Sequence, residues 1–556
     1  MKMDSMQKPK RIKLDFWQIT SLIIALALCL FLVYPLFSLL ISSFQSPATG
    51  EFSMENFQKI FTKKRYMRAI FTSLQISSIV TVLAVLVGTP MAYAHSMYRI
   101  RGKHLLEALV IISMLSPPFI GAYSWVQLLG RNGFITRIFA SIGITLPTIY
   151  GKGGIIFVLT LKLYPFIFIY INGALKKMDV SLIESAESLG CGSLRKMYLV
   201  VLPMVLPTLL AGALLVFMNA MADFGTPMLI GEGLHVLPTL VYNQYISEMG
   251  GSATLSAALA SIMVVITSIL FWAQKYFSTR KSYVMNALKP IVPRTFPKLT
   301  GFIVHVAMYG VVFMSLLPHI TVFVTSFLKT NKGTVFTSEF SLDNYRKVFS
   351  ELGQPIANTY KFALIAICFV IVISIFIAYL SMRKPSKLTA FIDMVTMFPY
   401  ILPGAVLGLT LLMAFNKPPM ALTGSAAIII IAFVIRRMPY TLRSSSAILY
   451  QISPSIEEAA ISLGCAPVRT FFKVTIIIML PGVLSGAVLS WVTILNELSA
   501  SIILYTGRTA TMSVTIYQQI VRMNYGSASA VSAVLTATTI ISLLIFFKFS
   551  GKSIDL

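Results

Sequence analysis

Acidic side chains are the scarcest chemistry in this chain. Its 556 residues carry 19 Asp and Glu against 45 Lys and Arg. Charge of either sign makes up only 12% of the sequence, where a soluble domain is about a quarter charged. That deficit, with 56% hydrophobic residues, excludes an ordinary soluble protein. Cysteine is also scarce. Cys29, Cys191, Cys368 and Cys465 show no metal-ligand spacing, and no disulfide framework is expected. The histidines (His95, His104, His235, His305, His319) are scattered, with no Ser-His-Asp grouping and no zinc spacing. A phosphate-binding loop needs G-x-x-x-x-G-K-[ST], so that backbone N–H groups wrap the phosphates. The one near match, Gly551-Lys552-Ser553, has Phe546 where the first glycine belongs. Neither catalysis nor nucleotide hydrolysis is expected of this chain.

What the chain does have is apolar runs of roughly 20 residues, the length that crosses a bilayer as a helix. A membrane β-barrel would show short alternating strands instead. The pattern predicts an all-α polytopic membrane protein with about twelve spans, near 17–43, 69–95, 105–127, 153–176, 199–224, 253–276, 299–327, 358–382, 388–413, 424–446, 474–499 and 528–548. The net charge of +26 reads as topology, because cytoplasmic loops of membrane proteins collect Lys and Arg. The expected partner is the lipid bilayer, not nucleic acid. Basic residues cluster in the N-terminal tail (Lys8, Lys10, Arg11, Lys13), after the second span (Arg99, Arg101, Lys103), in a mid-chain linker (Arg280, Lys281, Lys289, Arg294, Lys298) and at Arg383, Lys384 and Lys387. All lie on one side if both termini are cytoplasmic. Lys63, Lys64, Arg65 and Arg68 run against that bias.

The chain repeats itself. Phe52-Ser53-Met54-Glu55-Asn56-Phe57 returns as Phe340-Ser341-Leu342-Asp343-Asn344-Tyr345, and Ala92-Tyr93 as Ala378-Tyr379. Pro117-Pro118-Phe119-Ile120-Gly121 has a looser partner in Pro399-Tyr400-Ile401-Leu402-Pro403-Gly404. Lys162 precedes Tyr164-Pro165-Phe166 as Arg436 precedes Met438-Pro439-Tyr440. Asp223 and Glu497 occupy equivalent places near the ends of later spans. The organisation expected is a cytoplasmic tail at 1–16, a first half at 17–277, a basic linker at 278–298, a second half at 299–549 and a C-terminal tail at 550–556. With six spans each, the halves would share one orientation, with a path between them, as parallel repeats do.

One polar stretch between spans also occurs twice: Glu184-Ser185-Ala186-Glu187-Ser188-Leu189-Gly190 and Glu458-Ala459-Ala460-Ile461-Ser462-Leu463-Gly464. It resembles the E-A-A-x-x-x-G coupling loop of bacterial binding-protein-dependent (type I) ABC importer permeases. The family's following Leu-Pro is kept as Leu202-Pro203, whereas the second copy reads Ile476-Ile477, so the second loop is expected to enter its helix at a different angle. Ala222-Asp223-Phe224-Gly225-Thr226-Pro227, Arg131-Asn132-Gly133 and Arg436-Arg437-Met438-Pro439-Tyr440 are most similar to the ferric-iron permeases.

The resemblance implies a fused permease in the bacterial cytoplasmic (inner) membrane, with two separate ABC ATPase subunits as partners and an extracytoplasmic substrate-binding protein that delivers cargo. ATP and Mg would sit on the partners, with no cofactor in this chain. The cargo implied is ferric iron, moved by alternating access. Thiamine, a phosphonate or another small organic solute is the alternative, and a secondary transporter driven by an ion gradient is the alternative of another class.

By the same resemblance, Glu184, Ser185, Ala186, Gly190, Glu458, Ala459, Ala460 and Gly464 would dock the ATPases. The small residues would allow close approach, the glycines would end a short helix at positive φ, and the glutamates would pair with basic partner residues. Charge inside a bilayer is costly and marks a pathway or a partner. Asp223, Glu497, Lys162 and Arg436 are therefore candidates for the translocation path. The local alternative is that the acids merely cap or pair at an interface, and that Arg436 and Arg437 snorkel to the surface. No stable metal site is expected; Asp223 and Glu497 could offer a hard ferric ion transient oxygen contacts.

Overall fold

The computed structural model describes residues 15–114, 119–247, 251–280, 293–331 and 335–550. The N-terminal tail, Pro117-Pro118, most of the linker and Gly551-Lys552-Ser553 lie outside them. Helix dominates, as backbone in hydrocarbon must satisfy its own hydrogen bonds. Among the described residues, nine helices are long and apolar enough to span a membrane: Phe16–Ser43, Lys64–Met97, Lys152–Lys176, Met197–Ala222, Ala253–Tyr276, Lys298–Ser326, Gly353–Arg383, Pro467–Leu495 and Tyr525–Ile545. A tenth counts if Lys387–Ile401 and Gly404–Ala414, bent by 116° at Leu402-Pro403, make one broken span.

The expected count of twelve is not reached, for two local reasons. The run at 105–127 folds as two short helices, Lys103–Met114 and Ile120–Leu129. The run at 424–446 forms one helix, Ala426–Gln451, of ample length, but it carries Arg436, Arg437 and Arg443. Among the described residues the one sheet is an antiparallel strand pair, Leu328–Asn331 with Val335–Phe340; isolated bridges join Gln45 to Phe52 in the first half and Tyr98 to Arg294.

The repeat is visible in atomic detail. Asn56 is buried and its Nδ2 donates to the carbonyls of Ser43 (3.2 Å) and Gln45 (2.8 Å), at the end of the first span. Asn344 does the same with Ser326 (3.2 Å) and Leu328 (2.8 Å). Each satisfies carbonyls that a helix end leaves without an intrahelical partner. A five-residue π-helical turn follows each signature loop, Met197–Val201 and Phe471–Thr475. The second forms without the Leu-Pro that follows the first, so the lost proline leaves the local helix type unchanged.

The first helix of each half packs on the other half. Phe16–Ser43 lies along Gly404–Ala414 and Gly353–Arg383. Its Trp17 ring sits 4.6 Å from Tyr379 and 5.1 Å from Phe471. In return, Lys298–Ser326 packs on Ile120–Leu129 and Lys103–Met114. There Ser124 Oγ donates to the Pro318 carbonyl at 2.9 Å, and the Arg101 N–H donates to His305 Nε2 at 3.0 Å. This exchange buries apolar surface of each half against the other. It leaves the Lys152–Lys176 and Ala426–Gln451 helices, with the spans that follow the loops, to build the space between the halves.

Candidate functional site

Lys162 lies ten residues into its 25-residue helix, about 15 Å from the start at 1.5 Å per residue, and so well inside the apolar span. Its Nζ donates to Asp223 Oδ2 at 2.6 Å. The other Asp223 oxygen accepts the Thr226 N–H at 2.8 Å, in the first turn of the short helix Gly225–Ile230. The second half repeats the device. Arg436 Nε stands 3.2 Å from Glu497 Oε2, and Glu497 Oε1 accepts the Ala500 N–H at 3.1 Å. Each acid therefore accepts one backbone N–H beside the start of a short helix and is also half of an ion pair. The Asp223 side chain is 8% exposed and that of Glu497 1%, so neither is a rim charge.

The second half adds a group the first lacks. Arg437 also donates to Glu497 Oε2, where the equivalent first-half position is Leu163. Neither arginine snorkels away; both guanidinium groups converge on one carboxylate. Arg436 reaches it because residue 404 is glycine: a Cβ there would lie 1.2 Å from Arg436 Nη1.

These five charged residues line a cavity of about 170 Å³ between the halves. Asn219, Asn496 and Tyr440 add polar edges, and Phe166 and Phe224 apolar ones. Lys162, Asp223, Arg436 and Glu497, read from sequence as path residues, are thus brought together. The same carboxylates also pair locally and accept backbone N–H groups. Among the described residues no group of three His, Cys, Asp or Glu could hold a metal ion. Neither carboxylate faces the cavity without a basic partner. Above Gly225, Phe119 adopts φ +68° and stacks on Tyr517 of the second half, with ring centroids 4.8 Å apart.

The signature loops form a second pair of features. Val180–Ser188 ends at Gly190 (φ +80°) and Ser455–Ser462 at Gly464 (φ +88°), each followed by a short helix. The closing bonds match: Gly190 N–H to Glu187 O and Cys191 N–H to Ala186 O, then Gly464 N–H to Ile461 O and Cys465 N–H to Ala460 O. These are Schellman closures, which need a residue at positive φ. Glu184, Ser185, Glu458 and Ala459 are exposed, while Ala186 is buried and Ala460 half-buried. Ala186 packs inward and offers no surface for close approach. Instead Leu189 and Leu463, 85% and 89% exposed, stand out as apolar side chains beside each glycine.

Two side chains that sequence reasoning passed over anchor the first loop. Glu187 receives a two-pronged pair from linker residue Arg294, both N···O distances 2.7 Å, and a further ion pair from Lys196. These donors hold its carboxyl down to about 2. Arg294 is itself fixed to the end of the second span by bonds to Met97 O (2.9 Å) and from Arg99 N–H (2.8 Å). The second loop is held differently: Arg383 pairs with Glu457 at 3.3 Å, and Tyr379 OH donates to the same carboxylate at 3.0 Å.

The fold and site define a multi-pass membrane protein whose two homologous halves enclose a charged cavity. The chain belongs to the family of binding-protein-dependent transport system inner membrane components, whose pattern matches it twice, over residues 81–283 and 370–555. Each match contains one signature loop. The ferric transport system permease FbpB of Actinobacillus pleuropneumoniae is 27% identical over 95% of this chain and 77% of its own length. A putative ferric transport permease of Haemophilus influenzae, FbpB 1, is 27% identical over 91% of this chain and 80% of its own length. Among solved structures, a bacterial ABC importer of the acidic polysaccharide alginate aligns at TM-score 0.39 and 17% identity, over 48% of this chain and 96% of that chain.

Proposed function

We propose that this chain is the transmembrane subunit of an ATP-driven importer. It carries ferric iron, delivered by an extracytoplasmic binding protein, into the cytoplasm by alternating access. The observation that carries the reading is that the family pattern falls twice on one chain, each time around one exposed signature loop. One ATPase subunit docks on each loop, with both termini on the same cytoplasmic side. ATP and Mg belong to those subunits. Closure of the two ATPases moves the loops, and the spans that leave them carry the motion to Asp223 and Glu497. The iron assignment is supported by likeness to ferric permeases along nearly the whole chain. Uptake of radiolabelled ferric iron under iron starvation, in cells with and without this gene and with redundant iron systems removed, tests the reading. Loss of uptake that the intact gene restores is expected. Unchanged uptake would reject iron as the cargo and shift it to thiamine, a phosphonate or another small organic solute.

A further inference from the structure

The central cavity is not electrically balanced. Across the repeat, Lys162 answers Arg436 and Asp223 answers Glu497, two cations for two carboxylates. Arg437 is the fifth charge and has no counterpart, because Leu163 stands in its place. Among the described residues the cavity is therefore lined by three cations and two anions. Both carboxylates are committed: each spends one oxygen on a helix N–H and the other on its basic partners. The arginines are not saturated in return. Arg436 Nη1 and Arg437 Nε are buried without any protein acceptor. A buried guanidinium donor left without an acceptor is costly, and a planar fork of N–H groups suits an oxyanion above other ligands.

We infer that the cavity takes an oxyanion, a carboxylate or phosphate group, at Arg437 and Arg436 with Lys162 on the opposite wall. The inference rests on the reading of this cavity as the transport path. It gives the path's ligand a sign opposite to that of a bare metal ion. A bare Fe(III) ion would meet three positive groups and no uncommitted carboxylate. A ferric ion carried with oxyanion ligands would present negative oxygens to the same groups. The oxyanion is then either the metal's travelling ligand or a solute in its own right. Neighbouring Asn219, Asn496 and Tyr440 supply polar edges without adding charge. Occupancy need not be tight, since a path that binds strongly does not release.

The repeat itself supplies the test variant. In the first half a single cation, Lys162, suffices for Asp223 beside Leu163. Arg437→Leu should therefore fold, with Arg436 still paired to Glu497, while the cavity's excess charge disappears. The full-length protein in lipid nanodiscs is dialysed to equilibrium against radiolabelled inorganic phosphate and radiolabelled citrate, each with and without Fe(III). The wild type is expected to retain at least one of the two. Arg437→Leu should lower that affinity about tenfold or more, the loss of one charge-assisted contact, and Arg437→Lys should recover part of it. Retention without Fe(III) identifies a free oxyanion, and retention only with Fe(III) identifies the metal's ligand. If the wild type retains neither probe, or if Arg437→Leu and Arg437→Gln retain them as the wild type does, the inference is overturned. Ferric uptake by cells in the absence of oxyanion retention would discard the inference and keep the transport reading. Retention without ferric uptake would do the reverse.

Discussion

Lys162, inside an apolar span, meets Asp223 at 2.6 Å, and the acid's second oxygen accepts the Thr226 N–H of the helix that follows. Two jobs on one carboxylate tie the geometry of the cavity wall to that of the backbone beside it. Removing one member of a buried pair strands the other charge, at a cost of about 3–5 kcal/mol when burial is complete. Lys162 is 26% exposed, so the lower end applies. Lys162→Met should lower the thermal unfolding temperature of the detergent-solubilised protein, and Lys162→Met with Asp223→Asn should recover much of the loss. Equal destabilisation by the single and double variants would show that the pair is not the relevant unit.

The loop glycines make a separable prediction. Gly190 and Gly464 adopt positive φ, and a Cβ built on either meets nothing within 4 Å. An aspartate there faces backbone strain of about 1–2 kcal/mol but no clash, and Asp tolerates this region better than most residues. Gly190→Asp with Gly464→Asp should therefore reach the membrane at near-normal abundance and lose ATP-driven uptake. Immunoblotting beside an uptake assay checks this. Normal uptake by the double variant would reject the coupling role.

Arg294 links the interdomain linker to the first loop through Glu187. The carboxyl of Glu187 sits below its ordinary range, so its contribution is full above about 4.5 and is lost as the pH falls through about 2. Amide exchange in 180–196 should quicken as pH falls through that window, after correction for intrinsic rates. In Arg294→Ala the loop should be less protected at neutral pH, and its acid step should move upward toward 4.5, because Lys196 alone remains. An identical profile in the variant would show that the linker does not hold the loop.

Gly404 sets the position of Arg436. A methyl group there would occupy the place of Nη1, so Gly404→Ala must displace the guanidinium from its present contact geometry with Glu497. A cost of about 1–3 kcal/mol is typical of such overpacking. The expected outcome is reduced uptake with a modest fall in thermal stability, and Gly404→Val should be worse in both. Unchanged uptake in Gly404→Val would mean that the Arg436–Glu497 contact is dispensable for transport.

Much of this was legible in the sequence, because a repeat in sequence is a repeat in structure. Lys162 with Arg436, Asp223 with Glu497 and Gly190 with Gly464 share one spacing along the chain, so their equivalence needed no coordinates. Asn56 and Asn344 were matched by the same logic, and both proved to be buried caps. What stayed hidden depends on contacts far apart in the chain. Arg437 has no counterpart, so the repeat did not single it out, and snorkelling was an alternative for it and Arg436 alike. Glu187 is Ile461 in the second half, so its link to Arg294 lies outside the symmetry. The exchange of first helices depends on how two halves dock, which apolar run lengths do not encode. Nor does run length separate a spanning helix from two short ones, as 105–127 shows.

The most direct test of the account is to ask what drives transport. In right-side-out membrane vesicles with the binding protein supplied outside, uptake of radiolabelled ferric iron is followed while internal ATP and the ion gradients are varied independently. Uptake should track internal ATP, persist when ionophores collapse the gradients, and vanish in the Gly190→Asp, Gly464→Asp variant. Uptake that ignores ATP and collapses with the gradients would contradict the account and make this chain a secondary transporter.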